Sequence, residues 1–229
     1  MIIFPGIGTV INSVGVLIVG VATRLIINRE LGNFEKNIYP IGLVTLALGV
    51  RESLRAESLI IPLASILIGA TIGSYLKIEK RVEKIGENLH NKYEKEDSGR
   101  ENFISSFLTT SLIVITGPLA IIGPFQDVLE SNLELLIIKT ALDCFLVFYI
   151  TAGGGKGAVY SFIPIFFYQG FFTLLAIVLK NSFLTELAVS NIGTVGGILL
   201  IGLSIKMLGI KDIPVGDYLP ALFIPIFFI

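Results

Sequence analysis

The sequence predicts an all-α fold, a bundle of about eight transmembrane helices with seven as the alternative count. Hydrophobic residues make up 53% of the 229 residues and charged residues only 15%, a balance typical of polytopic membrane proteins. Apolar runs recur along the chain at roughly the 18 to 20 residues that a helix needs to cross a bilayer. Because glycines and prolines interrupt several of these runs, we expect broken or re-entrant helices.

The apolar runs place the helices within what we interpret as a single membrane domain over residues 1–229. The first run is not preceded by the basic residues of a signal peptide, so we expect a retained first helix. The last run has twelve residues and is short for a full crossing. The expected spans are residues 6–27, 38–54, 58–76, 103–123, 134–152, 158–179, 193–209 and 218–229.

Residues 77–101 form the one long hydrophilic segment between the third and fourth spans, with seven basic and seven acidic side chains. Apolar residues recur within it at spacings of four, three and four, which puts them on one face of a helix. These residues are Ile78, Val82, Ile85 and Leu89. We expect an amphipathic helix at the membrane interface, with its charges and His90 on a solvated face.

The distribution of Lys and Arg predicts the orientation of the chain. With eight spans, 13 of the 17 basic residues fall on one side of the membrane. Arg51, Arg55 and Lys180 fall on the other side, and Lys139 lies within a span. Because the basic side is normally cytoplasmic, we expect residues 77–101 in the cytoplasm and both termini outside the cell.

Composition also narrows the range of partners. The net charge of −1 and the lack of a basic stripe predict no nucleic-acid partner. Cys144 and His90 are the only residues of their types, so we expect no disulfide, no metal and no cofactor. The glycine run at 153–157 lacks the Lys-Ser/Thr ending of a phosphate loop. The expected partners are the lipid bilayer and a small solute or ion, and a homodimer stays an open alternative.

Lys139 and Asp143 lie four residues apart in the fifth span, within the run IKTALDCFLVFYI. Charges at bilayer depth are costly, so this pair is expected to face a protein interior or a wet cavity and to mark a functional site. The alternative is a static salt bridge that fixes helix packing, because residues at this spacing neutralise each other locally. Asn12 and Gln169 are polar amides at similar depth, and we weigh them equally as ligands or as interhelical hydrogen-bond contacts.

Glycines and prolines in the spans predict either close helix packing or broken helices. Gly69 and Gly73 of the third span have the small-xxx-small spacing that lets helix backbones approach closely. The Gly-Pro pairs at 117–118 and 123–124 remove backbone donors and favour a kink. Breaks that would supply free carbonyls to an ion are expected at Gly123, Gly153, Gly154, Gly155, Gly157, Gly170, Gly193, Gly196 and Gly197.

Spans one to three and six to eight show a similar order of features. Each set has a glycine-bearing helix, a helix that starts at glycine and ends near a charge, and a proline-containing apolar run. An inverted repeat, as found in many transporters, is one interpretation. Coincidence is the other, because residue identity between the two sets is weak.

Several motifs occur in the order found in one prokaryotic membrane family. They are GTVINSVGVLIVG, KIEKRVEKIGENL, AIIGPFQD, IKTALD, GAVYSFIPIFFYQGFFTLLA, GGILLIGLSIKMLGIK and YLPAL. Over nearly its whole length the chain resembles the family called domain of unknown function 554, the YdfK/YqgA-like proteins. The resemblance implies a multi-span protein of the prokaryotic inner membrane, described as uncharacterised or as a candidate transporter.

The motif matches carry over a set of positions: Gly8, Asn12, Gly123, Asp127, Lys139, Asp143, Gly157, Ser161, Gln169, Gly170 and Pro220. Lys156 and Lys206 depart from the family pattern, where an apolar residue and an Asn are expected, so they are weaker candidates. The candidate binding residues are therefore Asn12, Asp127, Lys139, Asp143, Ser161 and Gln169. The resemblance implies no particular substrate.

We therefore expect a secondary transporter or channel for a small solute or ion, with the polar residues around Asp143 as its site. The alternative is a structural or regulatory membrane module without transport. An enzyme is not expected, because aspartyl chemistry needs two carboxylates that share a site. Asp127 and Asp217 are expected near span ends on opposite faces of the membrane, and His90 is expected in the wrong compartment to act as the base for serine chemistry.

Overall fold

The computed structural model describes residues 4–27, 34–94, 99–117, 119–179 and 185–228. Within these ranges the regular elements are helices and no strand is present, which confirms the predicted all-α class. A helix satisfies its backbone hydrogen bonds within one segment, as the interior of a bilayer requires.

The described residues form nine α-helices and three 3₁₀ helices. The α-helices are α1 (Ile7–Ile26), α2 (Phe34–Ser53), α3 (Ile60–Leu76), α4 (Ile78–Tyr93), α5 (Arg100–Thr116), α6 (Leu119–Glu130), α7 (Glu134–Ala152), α8 (Phe162–Leu179) and α9 (Glu186–Met207). The 3₁₀ helices are Lys156–Ser161, Val215–Leu222 and Ile224–Phe227. The bounds of α1 and α7 agree with the predicted first and fifth spans to within one residue.

Four helical segments of the described chain are long and apolar enough to cross a membrane: Ile7–Ile26, Glu134–Ala152, Lys156–Val178 and Leu187–Met207. Two further pairs of helices qualify together but are bent at a short break: α3 with α4 by 49°, and α5 with α6 by 52°. The number rises to six if each pair is one span. Helix α2 does not qualify, because charged residues occupy both of its ends. The prediction of a multi-span helical membrane protein is thus supported, and the count of eight spans stays a prediction.

The chain divides into two compact units. The first unit consists of Met1–Asn37, Glu83–Ile115 and Leu119–Lys180, and the second of Ile38–Val82, Thr116–Pro118 and Asn181–Ile229. Helices α1, α6, α7, α8 and most of α5 therefore belong to the first unit. Helices α3, α9 and most of α2 belong to the second, and α4 contributes residues to both.

Helix α1 of the first unit turns mostly polar and small side chains inward and apolar side chains outward. In α1 the buried residues are Gly8, Thr9, Asn12, Ser13, Val16, Gly20 and Thr23, which recur at helical spacing on one face. Ile11, Val14 and Ile18 on the other face are exposed. Helix α1 packs against α7, α8 and the 3₁₀ helix Lys156–Ser161. The apolar outer face of α1 suits a helix that is surrounded by lipid.

Glycines allow the closest backbone approaches of the second unit. A Cβ at Gly69 would overlap the backbone of Ala221, and a Cβ at Gly73 would overlap the carbonyl oxygen of Asp217. The predicted small-xxx-small pair of α3 therefore packs directly on the 3₁₀ helix Val215–Leu222.

The last apolar run is not the α-helical span that the sequence predicts. It consists of the 3₁₀ helices Val215–Leu222 and Ile224–Phe227, and Val215, Ala221 and Leu222 are fully buried. Pro214, Pro220 and Pro225 recur every five or six residues and remove the donors that an α-helix needs.

The run Phe-Ile-Pro-Ile-Phe-Phe occurs twice, at residues 162–167 and 223–228. The first copy starts α8 and continues as an α-helix, whereas the second is mostly 3₁₀. Each copy follows a 3₁₀ helix, one in each unit. The predicted inverted repeat of spans one to three and six to eight stays a prediction.

Five of the predicted backbone breaks are wrong. Gly123 lies within α6, Gly170 within α8, and Gly193, Gly196 and Gly197 within α9. A single glycine costs a helix only about 1 kcal/mol, so helix packing overrides it. Three of these glycines have a packing reason instead, because an added Cβ would meet Leu136 at Gly123, the Thr116 carbonyl at Gly196, and the backbone of Ser53 at Gly197.

Helix α4 forms where the sequence predicts it, but its buried face differs. His90 is buried, with its ring edge-on to Phe103 at 5.2 Å between centroids, and is not on a solvated face. Gly86 lies one turn earlier on the same face, where an added Cβ would be 2.9 Å from the ring of Phe107. Ile85, expected on the inner face, is exposed. The close contact between α4 and α5 is therefore made at Gly86, and not by the apolar residues Ile78, Val82, Ile85 and Leu89.

We predict that Gly73→Ala lowers the free energy of unfolding by about 1–3 kcal/mol, because its methyl group would displace the backbone at Asp217. The measurement is the Tm of the purified protein in detergent. Gly170→Ala is the control, since a Cβ there meets no atom within 4 Å. Its Tm should stay the same or rise. Equal effects of the two variants would contradict the packing of α3 described above.

Candidate functional site

Helix α7 turns its two charged residues into the first unit. Leu136, Lys139, Asp143, Val147 and Ile150 are buried and recur every three or four residues along one face. Lys139 is 4% exposed and Asp143 is 5% exposed. The prediction that this pair faces the protein interior is confirmed.

The ammonium group of Lys139 is fully paired. Its Nζ donates to Asp143 Oδ1 at 3.0 Å, to Asp143 Oδ2 at 2.8 Å and to the carbonyl oxygen of Val114 at 2.8 Å. An ammonium has three donors, and these contacts use all of them. The two charges neutralise each other within one turn of α7.

The Val114 carbonyl is available to Lys139 because of the sequence that follows it. In an α-helix this carbonyl would accept from the N–H four residues later, which is position 118. Residue 118 is proline and has no N–H. Helix α5 ends at Thr116, two residues after Val114, and the lysine binds this carbonyl of the last turn.

Asn12 of α1 completes a group that we name the Asp143 cluster, defined as Asn12, Lys139 and Asp143. Its Nδ2 donates to Asp143 Oδ2 at 2.9 Å, and the side chain is fully buried. Its Oδ1 has no hydrogen-bond partner. The cluster thus joins α1 and α7 directly and reaches α5 through Val114.

Gln169 of α8 lies at the same level as Asn12. The hydroxyls of Thr9 and Thr173 share a hydrogen bond of 3.1 Å. Further along α1, Gly20 lies against Val159, which precedes Thr173 in the sequence. Helices α1 and α8 are therefore antiparallel. Asn12 follows Thr9 by three residues, and Gln169 precedes Thr173 by four, so both amides lie one turn further in the same direction.

The side-chain amide of Gln169 is buried and has no hydrogen-bond partner at either Oε1 or Nε2. Buried polar atoms are nearly always hydrogen-bonded in proteins, so an unpartnered amide needs an explanation. Among the described residues, Asn12 Oδ1 and the two polar atoms of the Gln169 amide are thus unpartnered, and Asn12 bonds to the closed ion pair.

Two other candidate residues lie apart from this cluster. Asp127 of α6 is buried rather than near the surface, and its Oδ2 accepts from the backbone N–H groups of Gly6 and Gly8 at 3.1 Å each. It therefore caps the start of α1. Ser161 is fully buried and its hydroxyl has no partner, but it precedes Gln169 by eight residues, roughly 12 Å along a helix.

The glycine run after α7 ends that helix but does not form an anion cradle. Helix α7 ends at Ala152, and Gly154 adopts a left-handed conformation with φ of 98°. The N–H groups of Gly153, Gly154 and Gly155 donate to Tyr149, Thr151 and Ile150. The N–H of Gly157 donates to Ser106 Oγ at 3.1 Å. Lys156 is exposed, and no glycine N–H of the run is left for a phosphate.

The second unit contains an ionic network that the sequence analysis did not find. Lys206 of α9 pairs with Glu79 and with Asp212, and Glu79 Oε2 accepts from the N–H of Gly216 at 2.7 Å. The N–H of Glu79 donates to Asp217 Oδ1 at 2.9 Å. The sequence predicts Glu79 on a solvated face, whereas the structure buries it. Its helical spacing to the buried residues Gly86 and His90 is the one sequence signal that could have indicated this burial.

Metal ligands are not clustered in the described ranges, where no group of three or more His, Cys, Asp or Glu side chains could hold a metal ion. The Asp143 cluster is instead a charge-neutral group of an amine, a carboxylate and an amide. Its free atoms suit hydrogen bonding.

These features define a class of protein: a multi-span helical membrane protein with a buried polar cluster between long apolar helices. The chain belongs to the family described as "Protein of unknown function (DUF554)", which matches residues 7–229.

Two relatives match along almost their full length. The chain is 27% identical over 224 residues to "Uncharacterized membrane protein YdfK" of Bacillus subtilis (strain 168), covering 95% of this chain and 93% of that protein. It is 27% identical over 220 residues to "Uncharacterized protein YqgA" of Escherichia coli (strain K12), covering 94% and 93%. No solved structure matches the chain significantly.

We predict opposite effects for breaking and for replacing the ion pair. Lys139→Met leaves the Asp143 carboxylate buried without its counter-charge, which should cost about 3–5 kcal/mol of folding free energy. The double variant Lys139→Met/Asp143→Leu removes both charges and should recover most of this loss, because no buried charge remains. The measurement is the Tm of each purified variant. If the single variant is as stable as the unchanged protein, Lys139 and Asp143 are not the buried pair described here.

Proposed function

We propose that this protein moves a small solute across the membrane, with the polar residues around Asp143 in the first unit as its site. The observation that carries the proposal is that two buried amides, Asn12 and Gln169, retain unpartnered atoms among the described residues, and that Asn12 bonds to a closed ion pair. They lie on helices long enough to cross a bilayer, as a solute path requires.

The energetic cost of this arrangement supports a functional use. Each buried polar group without a partner costs roughly 1–3 kcal/mol, and a charge at the centre of a membrane helix costs about 2.5–3.5 kcal/mol on insertion scales. Apolar residues of similar volume at positions 12 and 169 would avoid the first cost. A polar ligand that binds there would offset the cost of the unpartnered groups by supplying their missing hydrogen bonds.

The ion pair has a separate role in this proposal. Lys139 and Asp143 orient Asn12, because Asp143 Oδ2 holds the amide nitrogen and so turns its oxygen away. The Val114 carbonyl in turn fixes the ammonium. The charged residues are thus the scaffold of the site, and the neutral amides are its ligands.

A structural or regulatory module is the second candidate function. The observation that favours it is the complete pairing of Lys139, which is what a static salt bridge between packed helices would show. Under this alternative, removing the amides should not change the movement of any solute.

Catalysis is not part of the proposal. Aspartyl chemistry needs two carboxylates that share a site. Asp127, the other buried aspartate of the first unit among the described residues, is bound to Gly6 and Gly8 at the start of α1 and shares no hydrogen bond with Asp143.

We predict that Asn12→Leu removes solute binding without unfolding the protein, because Lys139 still neutralises Asp143. The measurement is a thermal-stability screen of the purified protein against salts, amino acids, organic acids and polyols, followed by uptake of any stabilising compound into proteoliposomes. Asn12→Leu should remove both the stabilisation and the uptake. Ser13→Ala is the matched control, since the Ser13 hydroxyl bonds only to the Thr9 carbonyl of its own helix. Uptake that survives in Asn12→Leu would favour the module.

A further inference from the structure

The hydrogen-bonding capacity that is left free beside the ion pair belongs to neutral groups. Lys139 uses its three donors, and both oxygens of Asp143 accept hydrogen bonds. The free atoms are two acceptors, Asn12 Oδ1 and Gln169 Oε1, and one donor group, Gln169 Nε2. A ligand of this site therefore meets amides and not charges.

Charge balance points to the same class of ligand. Lys139 and Asp143 sum to zero and contact each other. The carboxylate of Asp127 accepts from two backbone N–H groups at the start of α1 through Oδ2, and its Oδ1 has no hydrogen-bond partner among the described residues. An ion bound to Asn12 would add a net charge to the neutral Asp143 cluster, which is costly between membrane helices. A neutral molecule adds none.

We infer that the site between Asn12 and Gln169 binds a small uncharged molecule that carries O–H or N–H donors and at least one acceptor, such as a polyol or a simple amide. Donors of this molecule bond to Asn12 Oδ1 and Gln169 Oε1, and its acceptor bonds to Gln169 Nε2. This inference rests on the proposed transport function and adds the substrate class to it.

Packing on either side limits the size of the molecule. One turn away in one direction, Thr9 and Thr173 are joined by a hydrogen bond. One turn away in the other direction, Val16 and Ile165 are fully buried. The interval between these levels is two helical turns, about 11 Å. A molecule bound between these levels is therefore no longer than this interval along the helices.

The test measures swelling of proteoliposomes that contain the purified full chain, followed by light scattering in inward gradients of glycerol or of acetamide. Tracer uptake of sodium and of chloride is measured in the same vesicles. We expect several-fold faster swelling than in protein-free vesicles for at least one of the two uncharged probes, and no added uptake of either ion. Gln169→Leu should abolish the faster swelling, and Gly170→Ala, the next residue of α8, should retain it.

A second measurement separates the two proposals. The Tm of the unchanged protein and of Gln169→Leu is measured with and without each uncharged probe, so that general solvent effects cancel in the difference. A larger rise in the unchanged protein supports an uncharged ligand even if nothing is transported. Uptake of sodium or chloride that requires Gln169, without faster swelling, would overturn the uncharged class and leave transport standing. If no probe moves and both proteins show the same Tm changes, both proposals fail.

Discussion

Charge neutrality inside the membrane is the constraint on which the first unit depends. An ammonium and a carboxylate between apolar helices are tolerated only because each satisfies the other. The contacts of Lys139 and Asp143 extend beyond their own helix, to Val114 of α5 and to Asn12 of α1. One ion pair therefore joins three helices. Val114 is in the last turn of α5, where backbone carbonyls have no intrahelical donor, so its carbonyl can accept from the ammonium.

Both units combine a buried ionic group with close backbone contacts. In the first unit Gly157 lies against the backbone of Phe103. In the second, Gly73 lies against Asp217, whose side chain accepts from the N–H of Glu79, the partner of Lys206. Lipid surrounds membrane helices with an apolar medium, so their association depends on such close packing and on polar contacts. The exposed apolar faces of α1 and α7 are consistent with that medium.

Much of this could be predicted from the sequence, because periodicity and the cost of buried charge are local properties. These local properties predicted the all-α class, the inward-facing pair of Lys139 and Asp143, and close backbone packing at Gly69 and Gly73. The rest depends on contacts that no local pattern contains. Glycines within α8 and α9 stay helical because packing outweighs a small intrinsic cost. His90 is buried because Gly86 lets α5 approach, and Asp127 caps a helix more than a hundred residues away.

The central claim is that a closed ion pair orients Asn12, so that its free oxygen and the Gln169 amide bind a small polar molecule. An experimental density map that resolves ordered solvent, recorded on the protein in a lipid nanodisc, tests it most directly. The account predicts Lys139 Nζ within hydrogen-bond distance of Asp143 and of the Val114 carbonyl. It also predicts density for a water or solute between Asn12 Oδ1 and the Gln169 amide. A direct hydrogen bond between these two amides, with no room for another molecule, would contradict it.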